Sequence, residues 1–101
     1  MDVNALIEAL LNKNSDFELR DEAAMTLGEH KSTEALAALA QVASDEAEDE
    51  GLQLTCAEAI FYQFRAFNKF ERDIYKKLQP AAREELENLV RDWRGDWAKY
   101  L

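Results

Sequence analysis

The stretch Asp16-Phe-Glu-Leu-Arg-Asp-Glu-Ala-Ala-Met-Thr-Leu-Gly28 decides how this chain is read. Leu19, Ala23, Ala24 and Leu27 recur at three- and four-residue spacings, which puts one apolar stripe on a helix, and the small alanines let a neighbouring helix come close. Asp16 stands where an N-cap belongs. Glu18, Asp21 and Glu22 fill the early turns, where the helix dipole favours negative charge. Gly28 stops the run, and the cations His30 and Lys31 follow as expected near a C-terminus. The spacing predicts an inner helix of a helical stack. The wider segment from Asp16 to Phe64 reads helix, turn, helix, acidic loop, helix.

Working outward, Asp2 caps a first helix that runs through Lys13, with Leu6, Ile7, Leu10 and Leu11 as its apolar stripe, and Asn14 and Ser15 break it. Thr33 opens a third helix from Glu34 to Ala43, in which Leu36, Leu39 and Val42 alternate with alanines. Ser44 begins the loop Ser44-Asp-Glu-Ala-Glu-Asp-Glu50. A fourth helix follows from about Asp49 to Phe67, carrying Leu52, Leu54, Ala57, Ile60, Phe61 and Phe64. Phe70, Ile74, Tyr75 and Leu78 predict a short fifth helix. Pro80 suits the first turn of a sixth, which reaches about Arg94 with Leu86, Leu89, Val90 and Trp93 on one side. Gly95 ends that helix, and Trp97, Tyr100 and Leu101 are expected to fold back over the last open face. The expectation is one all-α domain over residues 1–101, with two helix pairs in 1–67 and an irregular helical cap in 68–101.

The two pairs also repeat. Ala5-Leu6 answers Ala35-Leu36 at an offset of 30 residues, and Leu19-Arg20, Ala24 and Leu27 answer Leu52-Gln53, Ala57 and Ile60 at an offset of 33. A two-helix period near that length is the mark of a solenoid, in which each unit buries its apolar face against the next. The segment Asp16 to Val42, with its Leu-Arg-Asp-Glu-Ala-Ala-Met-Thr-Leu-Gly core and the later Glu-Ala-Leu-Ala-Ala-Leu phrase, resembles the short HEAT-like repeats also found in phycobilisome lyases. The second copy departs from the pattern, with Gln53 in place of the Arg and Phe61 in place of the Gly. The resemblance implies a short right-handed α-solenoid of about two helix pairs with a C-terminal cap, acting as a protein-binding scaffold rather than through a reaction.

Composition agrees and narrows the function classes. Of 101 residues, 48% are hydrophobic and 33% charged, with only three glycines and one proline, which fits an all-helical chain and leaves little turn chemistry for a sheet. The net charge of -9 is uneven: residues 1–64 carry fourteen acids against three Lys and Arg, while residues 65–101 carry seven against nine. Such a field repels nucleic acid and anionic lipid and steers a basic partner inward. A solubility surface is the plainer reading of the same charge. The start, Met1-Asp-Val-Asn-Ala-Leu, shows no basic segment followed by a long apolar run, and no stretch approaches the ~20 apolar residues of a membrane span, so a cytoplasmic protein is expected. Cys56 is the one cysteine and lies in an apolar run, which points to a buried, inert thiol. His30 has no nucleophile beside it in sequence and no Gly-rich run cradles a nucleotide. The acidic loop also lacks the spacing and central Gly of an EF-hand. The chain therefore reads as non-catalytic, with no cofactor and no metal.

The candidate binding residues are the loop carboxylates Asp45, Glu46, Glu48, Asp49 and Glu50, which repel one another unless water, salt or a basic partner compensates. Glu18, Asp21 and Glu22 fall near the same edge of a regular stack and would join them in one patch. Phe61, Tyr62 or Phe64 would serve as an exposed aromatic anchor, with Tyr62 preferred, unless all three are core. Arg65, Lys69, Arg72, Lys76 and Lys77 have spacings that fit one helical stripe, read as a solvated face before a nucleic-acid contact. In general character the chain resembles small acidic bacterial immunity proteins. The first functional expectation is thus an inhibitor whose acidic surface masks a basic toxin or nuclease by mimicking phosphates. The alternative is a HEAT-like scaffold or adaptor that assists assembly or modification of a complex, binding along its alanine-rich inner helices. Self-association through Trp93 and Trp97 stays open, as monomer or homodimer, should the cap leave a face bare.

Overall fold

Four helix starts are fixed by side chains that satisfy otherwise orphaned backbone donors. In the computed structural model, which describes residues 2–101, Asp2, Asp16, Ser32 and Asp49 accept hydrogen bonds from the amides of Ala5, Leu19, Ala35 and Leu52 at 2.8, 2.9, 3.1 and 3.2 Å. The third of these is Ser32, not Thr33, so that helix begins one residue earlier than its sequence predicts. The helices are α1 (Val3–Leu11), α2 (Phe17–Leu27), α3 (Thr33–Ala43), α4 (Glu50–Phe67), α5 (Arg72–Lys77) and α6 (Pro80–Trp93), followed by a 3₁₀ turn (Gly95–Tyr100). All described regular structure is helical.

The helices pack as a solenoid of two layers. Each pair is an outer and an inner helix in sequence, α1 on α2 and α3 on α4; across pairs α1 meets α3 and α2 meets α4, and α6 then packs on the free side of α4. α4 is therefore the central rod, touched by α2, α3 and α6. Its Leu52, Cys56, Ala57, Ile60, Phe61 and Phe64 are completely buried. α3 is thin enough to be enclosed because Ala35, Ala38 and Ala43 stand beside Leu36, Leu39 and Val42, and all six are buried.

The second copy's departure from the repeat has a visible consequence. α2 stops at Gly28, where a Cβ would lie only 3.0 Å from both Cα and Cβ of Ala59, so the glycine lets α2 and α4 touch at small residues. At the equivalent point α4 has Phe61, which continues the helix and enters the core, and α4 runs to Phe67 before Asn68 adopts a left-handed conformation (φ 52°) and Lys69 donates back to the Phe64 carbonyl at 2.9 Å.

The C-terminal residues do fold back. Trp97 lies edge-on to Phe61 and Phe64, with ring centres at 6.3 and 6.5 Å, and Tyr100 stacks on Phe70 at 5.5 Å. Trp97 is buried by this contact, so only Trp93 of the expected tryptophan pair is on the surface. The basic stripe does not form: the break at Asn68 divides Arg65 on α4 from Arg72, Lys76 and Lys77 on or beside α5, with Lys69 in the connection.

Candidate functional site

The acidic loop is held from within. Arg20 interrupts the apolar stripe of α2, and its buried guanidinium donates to the Leu10 carbonyl at 2.8 Å and, through both terminal nitrogens, to Glu48 at 3.0 and 2.5 Å. The Glu48 side chain is only 6% exposed, so this carboxylate faces inward and joins the first helix pair to the second. Gln53 occupies in the second copy the place that Arg20 holds in the first. It is also buried, and it donates to the carbonyls of Asp45 and Glu48 at 2.9 and 3.3 Å.

The other loop acids divide in the same way. Asp45 pairs with Lys13 at 2.6 Å and accepts from the Ala47 amide; the bond from Lys13 and then that from the amide hold its carboxyl below the ordinary 3.8. Asp49 is the cap of α4. Glu46 and Glu50 remain exposed without a protein partner. The five loop residues therefore do not present five equivalent free charges.

The α2 acids open on a different surface. Glu18, Glu22 and Glu29 are exposed on one stripe with Met25, while Asp21 turns toward α4 and accepts a hydrogen bond from Thr55 at 2.5 Å. That bond ties the α2 stripe to an α4 stripe of Gly51, Thr55, Glu58 and Tyr62. Between them lies an open hollow of about 310 Å³, lined by Met25, Glu29, Thr55, Glu58, Ala59 and Tyr62. On the far side of α4, Glu50, Leu54, Ala81, Glu84, Glu85 and Asn88 line a second hollow of about 200 Å³. Together the two hollows are lined by five carboxylates and no Lys or Arg.

Of the three aromatics, Phe61 and Phe64 are core and Tyr62 is 41% exposed. The Tyr62 hydroxyl donates to Glu58 at 3.1 Å, one turn back on α4, and that bond raises its pKa above the ordinary 10.0 more than partial burial does. Sequence reasoning missed Met25, Glu29 and Glu58. Their signal was present in the four- and three-residue steps Glu22, Met25, Glu29 and Thr55, Glu58, Tyr62, which place them on the faces opposite the apolar stripes.

The Cys56 thiol is pushed up to about 12, chiefly by burial, so it is protonated and inert at neutral pH. Among the described residues no three His, Cys, Asp or Glu side chains converge as metal ligands would, and no helix is long and apolar enough to cross a membrane.

Comparison with known proteins gives one family. The family described as HEAT repeats matches residues 3–97, which reaches well past the Asp16–Phe64 stretch and takes in α5 and α6. No curated protein and no solved structure matches the chain.

Proposed function

The chain belongs to the HEAT repeat family, and from this premise we propose that it is a non-catalytic adaptor that binds a basic protein on the outer face of the α2–α4–α6 layer. HEAT repeats form helical scaffolds for protein interaction, and a short stack has only its faces, edges and ends to offer. One observation carries the choice of face: the hollows on either side of α4 are lined by five carboxylates with no cation among them. Glu18, Glu22 and Glu46 extend the same exposed acidity toward the edge formed by the loop. Such a surface accelerates encounter with a basic partner and orients it, more than it adds affinity.

The sharper expectation, a loop that masks a toxin or nuclease through five phosphate-like carboxylates, loses support because Asp45, Glu48 and Asp49 have internal partners. The adaptor reading needs only the acids that remain free. Its test compares the protein with the variant Glu29→Gln/Glu50→Gln/Glu58→Gln/Glu84→Gln/Glu85→Gln, each immobilised and exposed to lysate at low salt. A basic protein retained by the first, released at moderate salt and absent from the second, is the expected result; equal retention on both removes this face from consideration.

A further inference from the structure

We infer that the hollow between α2 and α4 receives one large apolar side chain from a basic, amphipathic segment of the partner protein, with the flanking cations of that segment meeting Glu29 and Glu58. The inference rests on the reading of the α2–α4–α6 face as the contact surface and says where on it the anchor lies.

The hollow has the composition of an anchor site. Met25 is 59% exposed and Tyr62 41%, and they face each other across it. Scattered surface hydrophobics need no explanation, but two that wall the same depression make an apolar recess. The bond from Tyr62 to Glu58 holds the ring at one side. The floor is Ala59, brought against Gly28 where neither residue has a side chain long enough to fill the space. Methionine adapts to different apolar shapes, and tyrosine offers area at small entropic cost, which suits both to anchoring.

Size and charge select the occupant. About 310 Å³, open to solvent, lies at the lower end of the range for small-molecule pockets, and it fits a protruding side chain better than a cofactor. Glu29 and Glu58 stand at the rim, with Glu18 and Glu22 continuing the α2 stripe, so a cationic residue on either side of the anchor finds a carboxylate. Arg65, one turn beyond Tyr62, lies over the Phe61 ring at 5.8 Å and acts weakly on the Tyr62 hydroxyl, Lys31 lies over Phe67 at 5.2 Å, and neither lines the hollow. An acidic or purely polar segment would gain nothing from this arrangement.

The test uses the full chain and three designed helical peptides: one with a Leu face and a Lys face, one with Ser replacing Leu, and one with Glu replacing Lys. Binding is followed by fluorescence anisotropy and by amide shifts in a 15N-labelled sample. The Leu/Lys peptide is expected to bind and to shift amides around Met25 and Tyr62. Met25→Ala/Tyr62→Ala is expected to weaken it at least about ten-fold, as loss of an anchor does. Trp93→Ala, which removes a more exposed apolar residue that does not line the hollow, is expected to leave the amide shifts around Met25 and Tyr62 unchanged. The Ser peptide should bind about as weakly as the double variant does, and the Glu peptide not at all. Equal affinity of the Leu and Ser peptides, an unchanged affinity in the Met25/Tyr62 variant, or shifts centred on Trp93 overturns the anchor while leaving the acidic face as the contact surface. Failure of every cationic peptide to bind at low salt overturns both. Circular dichroism of the variants, whose replaced side chains are exposed, separates loss of the anchor from loss of the fold.

Discussion

Glu46 and Glu48 look alike in sequence and have opposite fates. Glu46 is solvated, whereas Glu48 is sealed beside Arg20 with a side chain exposed by 6%. A buried guanidinium keeps its charge, so its partner is worth most when it is taken away: removing one member of such a pair typically costs about 3–5 kcal/mol. Glu48→Ala is therefore expected to lower the urea unfolding free energy by about that amount, while Glu46→Ala changes it by less than about 0.5 kcal/mol. Replacing Arg20 and Glu48 together by Met and Leu is expected to restore most of the loss, because no unpaired charge is left. The signal for this pair was Arg20 itself, an obligate cation next to Leu19 and one turn from Ala23 and Ala24 on a helix expected to be inner. What the sequence withheld was which of the nearby acids would answer it, because that depends on how the loop before α4 folds back over α2.

Element boundaries were legible where local chemistry sets them and illegible where tertiary contacts do. Asp2 and Asp16 cap as their positions predict, Gly28 ends α2, and Pro80 opens α6, whereas Asp49, read as the first residue of α4 and a free carboxylate, is the cap of that helix. Ser32 rather than Thr33 caps α3, and there the outcome turns on a contact from 31 residues away: Gln63, completely buried, accepts from the Ser32 amide and donates to the carbonyls of Leu27 and His30, fixing the α2–α3 connection. The expected cationic stripe failed for a related reason, since regular spacing carries no face once Asn68 has turned the chain. Gly28 gives the element-scale prediction. Its φ of -64° is open to any residue, and Gly to Ala in a helix normally gains up to about 1 kcal/mol. Here the added Cβ would press on the backbone of Ala59 at 3.0 Å, and overpacking against atoms that cannot rotate away costs about 1–3 kcal/mol. Gly28→Ala is expected to be destabilised by roughly 1 kcal/mol or more in thermal or urea unfolding. Gly95→Ala, with nothing within 4 Å of the new atom, serves as the control.

At the scale of the molecule, the all-helical solenoid was readable from two short repeats, but the candidate face was not, because it is made by α2, α4 and α6 lying side by side. Assembling them puts a net charge of -9 on a protein 38 × 26 × 20 Å across and gathers Glu29, Glu50, Glu58, Glu84 and Glu85 around the two hollows beside α4. Like charges gathered by folding repel more than they do in the unfolded chain, so self-repulsion opposes the native state. Raising ionic strength from 0.01 to 0.15 M shortens the screening length from about 30 to about 8 Å, below the span of that face. Salt also weakens the exposed pairs Lys13–Asp45, Lys69–Glu71 and Arg94–Asp96, but such pairs are worth only about 0–1 kcal/mol each, and Arg20–Glu48 is shielded by burial. The repulsion should dominate. The Tm is expected to rise with salt over this range, by about 4–8 °C if screening recovers about 1 kcal/mol. The Glu29/Glu50/Glu58/Glu84/Glu85 to Gln variant should start higher at low salt and respond less. Association with a basic partner must move the other way, slowing as salt rises, because the same field that strains the free protein draws that partner in. A Tm that falls with salt while partner association slows would place the repulsion below the exposed pairs and leave the face attractive; a flat association rate would take the charge out of recognition altogether.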